Sequence, residues 1–265
     1  MPVKNILKKN PFSDTIVIPS SAISVEPTLE LKTLTISRIA RILGIFQAEN
    51  VIVYRDEKNN RNYRIFCDVL KYLLLPPYLK KYTRKRDTLR KVGIAYPLNL
   101  AIHTVSPDLK KDPIRLGWII ETVDKYARID VGIDKPLVVK MKKDHSFEDV
   151  VLVDTNKRSI IEKDNYYVGF NINCSNNSEE LHRVIHGINP DAIIGTSVKG
   201  TPIEKCLKCK KAKKRAILFG GPNRGIKSLY RNLEYNEIIN IMESQGTITI
   251  RTEEAICIAL SKLTR

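Results

Sequence analysis

Apolar and polar residues follow two different periods along this chain, and the changes between them divide it into three segments. In the first, TIVIPSSAI carries a short apolar run that stops at Pro19, which predicts a strand running into a loop. Thr28–Phe46 places Leu31, Leu34, Ile39, Ile42 and Leu43 at near-helical spacing. VIVY (Val51–Tyr54) reads as a buried strand, and Tyr63–Leu75 as a helix ended by Pro76-Pro77. Strand, helix, strand, helix points to a parallel sheet covered by helices.

From about Asp87 to Lys163 the pattern changes to short β-type pieces: RLGWIIETV, YARIDVGI, PLVVKM, DVVLVD and RSII. Such a run fits a small antiparallel barrel, of which the OB-fold is the common nucleic-acid-binding version and an SH3-like barrel the structural competitor. From Asn165 the α/β rhythm returns. YYVGFNI, DAIIGTS, RAILFGG and EIINIM read as strands, and SEELHRVIHG, PIEKCLKCKK, IKSLYRN and EEAICIALSKL as helices. The expected architecture is therefore α/β: one domain built from residues 1–86 and 164–265 with a mostly parallel sheet, and a small OB-like β-barrel inserted at 87–163.

The 265 residues include 45 Lys+Arg against 29 Asp+Glu, a formal charge of +16. An excess of that size favours a polyanionic partner, because each phosphate contact releases condensed counterions. A generally basic proteome or an ion-pair-rich thermophilic surface is the other reading. Clustering in Lys80–Lys91 and Lys205–Arg215 favours nucleic acid. No run approaches a membrane span and the amino terminus is polar, so a soluble, cytoplasmic protein is expected. Five scattered cysteines read as reduced thiols rather than a disulfide scaffold.

Three strands of the last segment end in small residues: Gly195-Thr196-Ser197, then Gly220-Gly221-Pro222-Asn223-Arg224-Gly225, then Glu243-Ser244-Gln245-Gly246-Thr247. Any one such loop is an ordinary turn, but three in succession suit backbone recognition of an adenine and a ribose beyond the carboxyl ends of a parallel sheet. Neither G-x-G-x-x-G nor G-x-x-x-x-G-K-[ST] is present, which disfavours a dinucleotide fold and a P-loop NTPase. Thr252 is a candidate N-cap, and Glu253 and Glu254 in the first turn suit the helix dipole.

Taken together, FGGPNRGI, QGTITIRTEEAICIAL, DAIIGTSVKG and YLLLPPYLKK resemble the archaeal–eukaryotic SPOUT RNA methyltransferase subfamily with an inserted OB-like domain, over about Ile16 to Leu263. The TIRTEEA element is the most specific part. The resemblance implies a trefoil-knotted α/β domain, a rare exception to unknotted topology. It also implies a homodimer and S-adenosylmethionine held by Gly195, Thr196, Ser197, Phe219, Gly220, Gly221, Gly225, Met242, Gln245, Gly246, Ile248, Ile250, Thr252 and Ala255.

By the same resemblance Arg41, in TISRIARILGIF, lies near the methyl-transfer site, although Ser37-Arg38 stand where the family commonly has Gly-Gln. Glu253 or Glu254 is then an acid/base or substrate-holding group. RNA, with ribosomal RNA and a uridine base foremost, is expected to meet Arg38, Arg55, Lys80, Lys81, Arg84, Lys85, Arg86, Arg90 and Lys91, the basic stretch among these lining a groove where the chain enters the insertion. A non-catalytic RNA-binding or ribosome-assembly factor of the same fold is the alternative, and a DNA-binding protein is disfavoured for lack of a helix-turn-helix or zinc module.

Other signals carry less. Cys206-x-x-Cys209 and His182-x-x-x-His186 have the composition of a zinc site, but they fall on separate helices and no metal is expected. His103 reads as a turn or barrel-edge histidine. Trp118, Tyr126 and Phe147 could stack on bases where exposed, with Trp118 expected partly in the core.

Overall fold

In chain order the apolar runs become β1 (Ser13–Pro19), α1 (Leu29–Ile45), β2 (Asn50–Tyr54) and α2 (Arg61–Leu74) in the computed structural model, which describes residues 8–263 except 107, 110 and 232. Five strands follow: β3 (Ile114–Val123), β4 (Tyr126–Asp130), β5 (Leu137–Lys140), β6 (Val150–Asp154) and β7 (Ser159–Ile161). The last segment gives β8 (Asn171–Ser175), α3 (Ser178–Ile188), β9 (Ala192–Pro202), α4 (Leu207–Lys211), β10 (Lys214–Leu218), α5 (Ile226–Leu229), β11 (Glu237–Asn240) and α6 (Thr252–Leu263).

The chain forms two compact units. Among the described residues, one holds Asn10–Leu73, Lys85–Leu98 and residues 169–263; the other holds Leu74–Arg84 and Asn99–Val168. In the first unit six strands pair in the order β11-β9-β10-β1-β2-β8, all in parallel. Central strands covered on both faces should be apolar throughout, and Ile16, Val17, Ile18, Val51, Ile52, Val53, Ala216, Ile217 and Leu218 are all fully buried.

One charged pair interrupts that core. Asp14 and Arg215 are register partners on β1 and β10. Arg215, 0% exposed, donates from Nε and Nη2 to the two Asp14 carboxylate oxygens at 2.6 and 2.8 Å and from Nη1 to the Leu263 carbonyl at 2.8 Å. The bidentate pair thereby ties two central strands to the end of α6.

Helix α1 is capped by Thr28, whose hydroxyl accepts the Leu31 amide. It buries Ile36, Ile39, Ala40 and Leu43, whereas Leu31 and Ile45 are exposed and Ile42 is half-buried. The helix is thus apolar on two faces, which the near-helical spacing did not distinguish. The strand expected over YYVGFNI lies later, at β8, because Tyr167 and Phe170 are used as buried anchors ahead of it. The apolar face of α6 that the sequence offers as a dimer surface, Ala255, Ile256, Ile258, Ala259 and Leu263, is largely core: Ile256, Ala259 and Leu263 are buried, and only Ala255 and Ile258 are partly exposed.

The cysteine expectation is overturned: Cys67 pairs with Cys174 and Cys206 with Cys209, while Cys257 is free. Partners 107 positions apart cannot be read from spacing. Among the described residues no group of three or more His, Cys, Asp or Glu side chains is placed to hold a metal ion. Nor is any described helix long and apolar enough to cross a membrane.

The second unit is an antiparallel half-barrel with strand order β5-β4-β3-β6-β7. Its core is Ile119, Ala127, Ile129, Val131, Val139, Val151 and Val153. Alternation along β4 turns Ala127 and Ile129 inward and Tyr126 and Arg128 outward. Trp118 is half-buried and stacks on Tyr82 at 5.1 Å between centroids, so its ring face is already taken; Tyr126 and Phe147 are exposed.

His103 is buried, with Nε2 3.0 Å from the Leu74 carbonyl, and burial pushes its pKa down to about 4 despite that bond. The folded unit therefore holds the neutral ring, while the unfolded chain takes up a proton below its ordinary value near 6.5. Stability supplied by this group is present above pH 6.5 and declines as pH falls toward 4, by at most about 3 kcal/mol. The check is urea unfolding followed by Trp118 fluorescence: His103→Gln is expected to flatten the fall in midpoint across that window, and an unchanged pH profile contradicts the assignment.

Candidate functional site

The carboxyl ends of the parallel strands gather around a buried acid that follows β2. Asp56, its side chain 1% exposed, accepts the Ser20 hydroxyl at 3.0 Å, the Ser21 amide at 2.9 Å and the Arg224 guanidinium at 2.8 Å. One carboxylate thus fixes the loops after β1, β2 and β10. The Phe219 carbonyl beside it accepts the Tyr230 hydroxyl at 2.9 Å.

Gly195-Thr196-Ser197 does not end its strand as expected, since β9 runs on to Pro202. The ladder to β11 nevertheless jumps from Gly195 opposite Ile238 to Thr201 opposite Ile239. Residues 196–200 therefore leave the ladder and return to it, with the Thr196 hydroxyl donating to the Leu218 carbonyl at 2.9 Å. Gly200 packs closely on the backbone of β11. A Cβ there would lie 2.4 Å from the Ile239 carbonyl carbon and 2.7 Å from the Ile238 oxygen, so no larger residue fits without moving backbone.

The third loop, after β11, folds on its own polar groups. Gln245 Nε2 donates to the Thr247 and Ile248 carbonyls at 2.8 and 3.0 Å, leaving Gln245 Oε1 buried with no hydrogen-bond partner. Ile248 is 98% exposed, and Met242 and Ile250 are half-buried. The loop ends at Arg251, whose guanidinium reaches Glu26 at 3.0 Å.

Thr252 is the first residue of α6 rather than its N-cap; that position is Arg251, whose carbonyl accepts the Ala255 amide and whose amide donates to Glu254 Oε2 at 2.9 Å. Glu254 accordingly works as the returning half of a capping arrangement. Glu253 is different. It is 8% exposed and, among the described residues, its carboxylate has no hydrogen-bond or ion-pair partner.

Glu253 lines an open groove of about 600 Å³ together with Arg38, Arg41, Ile42, Ile45, Tyr96, Glu254, Cys257 and Ile258. Arg41 Nη1 donates to the Pro97 carbonyl at 2.8 Å, and the Arg38 guanidinium lies over the Tyr96 ring at 5.9 Å. The structure therefore gathers Arg41, Arg38, Glu253 and Glu254, which the sequence had suggested separately. Tyr96, Glu26 and Asp56 were missed, because a lone tyrosine or acid between elements carries no periodic signal.

The expected RNA-binding cations are distributed differently. Lys80, Lys81 and Arg84 belong to the half-barrel unit, and Lys85, Arg86, Arg90 and Lys91 to the other. Lys81 pairs with Asp130 at 2.6 Å, Arg84 with Glu148 at 2.9 Å, Arg86 with Asp68 at 2.6 Å and Lys91 with Glu30 at 2.7 Å. Burial pulls the Asp130 carboxyl up, but bonds from Lys81, the Gly132 amide and Tyr82 outweigh it and hold its pKa below the usual value. Lys80 is half-buried, which lowers its pKa, and Arg55 caps the Lys58 carbonyl at 2.9 Å. Four of the seven cations over Lys80–Lys91 thus face carboxylates, while Lys85 and Arg90 are exposed with no ion pair among the described residues.

The six-stranded parallel sheet, with glycine-bearing segments within β9 and after β10 and β11, is of the α/β class. The chain belongs to the family described as "Putative RNA methyltransferase", which matches residues 14–263. It is 26% identical to the 28S rRNA (uridine-N(3))-methyltransferase of Drosophila melanogaster, over 97% of this chain and 62% of that protein. The mouse protein of the same name is 24% identical over 96% of this chain and 76% of its own length. An uncharacterized protein of Halobacterium salinarum is 24% identical, over 94% of this chain and 98% of that one. Among solved structures, an AdoMet-bound rRNA methyltransferase from Sinorhizobium meliloti superposes with a TM-score of 0.43 at 10% identity, covering 99% of this chain and 59% of that one.

Proposed function

We propose that this chain is an S-adenosylmethionine-dependent methyltransferase of ribosomal RNA that acts on N3 of a uridine. Its family and the names of the Drosophila and mouse relatives support the reaction and substrate class. The observation that carries the site is Glu253, a residue 8% exposed whose carboxylate has no partner among the described residues and which lines the same groove as Arg41.

The loops suit the donor. Gln245 Oε1 is a buried acceptor without a partner, the space around Gly225 and Gly246 is open, and Gly220 has only ordinary contacts. The fourteen loop residues from Gly195 to Ala255 named above are the candidate contacts, with Gly195–Ser197, Phe219–Gly221 and Gln245–Gly246 central. When bound, the donor supplies an electrophilic methyl group. Uridine N3 bears a proton between two carbonyls, so the nitrogen lone pair becomes available as that N–H bond breaks. Glu253 takes the proton, and Arg41 and Arg38 stabilise negative charge spreading onto the flanking carbonyl oxygens or hold a nearby phosphate. Glu254 keeps its capping role.

The proposal extends to the fold. The order β11-β9-β10 takes the chain back past β9 after β10 has formed, and the close packing of Gly200 on β11 fits a trefoil knot. Strand order β5-β4-β3-β6-β7, with β5 near β7, fits an OB-like barrel serving as the RNA-binding insertion. The apolar groove rim of Ile42, Ile45, Cys257 and Ile258 suits a second copy of the chain, giving a homodimer. We place the protein in the cytoplasm, where stable disulfides such as its two are the exception.

The direct test is donor binding. S-adenosylmethionine at one hundred times Kd is expected to raise stability by about 2.7 kcal/mol, read as a higher melting temperature. A non-catalytic assembly factor predicts no saturable shift and no calorimetric heat.

A further inference from the structure

The connection from β9 to β10 carries six lysines within ten residues: Lys205, Lys208, Lys210, Lys211, Lys213 and Lys214. Like charges at helical spacing repel, and a five-residue helix is far too short to form on propensity alone. Burial on the opposite side holds it in place. Ile203, Cys206 and Cys209 are buried, Cys206 and Cys209 form a disulfide across the turn, and the Cys209 amide donates to Cys206 Sγ at 3.3 Å. This anchoring leaves Lys205, Lys208, Lys211, Lys213 and Lys214 exposed.

The nearby acids leave Lys205, Lys208 and Lys211 unopposed, although Asp191 interacts with the charges of Lys213 and Lys214. Glu204 is engaged by Lys262 at 2.6 Å, and Asp191 accepts the backbone amides of Lys213 and Lys214 at 3.0 and 2.9 Å. Among the described residues the side chains of Lys205, Lys208 and Lys211 make no hydrogen bond or ion pair. The contrast with Lys81, Arg84, Arg86 and Lys91, each facing a carboxylate, is the deciding observation. Four cations of the first cluster face carboxylates, whereas Lys205, Lys208 and Lys211 stand on a clasped, buried base with none.

We infer that the β9–β10 connection is an RNA-backbone contact surface, a lysine array that takes phosphates of the substrate independently of the groove holding Glu253. The inference rests on the RNA reading above and adds a site to it. Phosphate contacts of this kind carry affinity and orientation without sequence preference.

The test uses the full chain and a mixed-sequence single-stranded RNA, with affinity measured by fluorescence anisotropy across a potassium chloride series. The variant Lys205→Ala/Lys208→Ala/Lys211→Ala is expected to lose roughly tenfold in affinity at low salt and about 2 units of salt slope. The corresponding triple arginine variant should keep both, and donor affinity should be the same in all three proteins. An unchanged slope in the alanine variant, with the parent binding RNA, overturns this surface alone. A parent that fails to bind RNA overturns the RNA reading as well. Polyglutamate competing as strongly as RNA at equal charge also overturns it, in favour of an acidic protein partner.

Discussion

Asp14→Ala is expected to destabilise the parallel-sheet unit by about 3–5 kcal/mol, because it leaves a fully buried guanidinium facing an apolar side chain. Arg215 would keep its bond to the Leu263 carbonyl and its contact with the Phe12 ring, 4.7 Å away, but neither neutralises it. Helical circular dichroism in urea reads this unit, since nearly all the α-helix lies within it. Trp118 fluorescence reads the half-barrel, which contains the only tryptophan. The circular dichroism midpoint should move strongly. The double replacement Asp14→Leu/Arg215→Met should recover much of the loss, because a buried pair is costly to break and much less costly to replace. A single-variant loss under about 1 kcal/mol, a value typical of exposed pairs, contradicts the role given to this pair.

Glu253→Gln should leave the fold and donor affinity in place while lowering methyl transfer by about 10²–10⁴-fold, the usual contribution of a positioned general base. The amide keeps the shape and loses the proton acceptor, so the loss should fall on the transfer step and not on RNA or donor binding. Glu254→Gln provides the comparison. It weakens a helix cap and is expected to cost on the order of 1 kcal/mol of stability with little effect on turnover. Equal losses of activity in the two variants would overturn the distinction drawn between the neighbouring glutamates.

Much of this was legible in the sequence because it lives in local periodicity. The apolar runs at Ile16–Ile18, Val51–Val53 and Ala216–Leu218 are central parallel strands, and the five short β-type pieces are the five strands of the half-barrel. Pairings across long separations were not legible. Asp14 and Arg215 are 201 positions apart, and nothing at either position signals the other. The same holds for Cys67 and Cys174. Local reading also failed where one residue type serves two purposes. Thr252 has the composition of an N-cap, but Arg251 takes that position because Glu254 reaches back to its amide. Basic clustering flagged both Lys80–Lys91 and Lys205–Arg215. Only the three-dimensional placement of Asp68, Asp130, Glu30 and Glu148 shows that Lys81, Arg84, Arg86 and Lys91 face carboxylates while Lys205, Lys208 and Lys211 do not.

The central claim is methylation of a uridine in ribosomal RNA at N3, and nucleoside mass spectrometry after in vitro transfer tests it most directly. Deproteinised ribosomal RNA is incubated with the purified chain and S-adenosylmethionine carrying a heavy-isotope methyl group, then digested to nucleosides. The expected product is labelled N3-methyluridine, present with the parent protein and lost with Glu253→Gln. Label on a ribose hydroxyl or another base, or no label from a protein that binds both RNA and donor, would contradict the account.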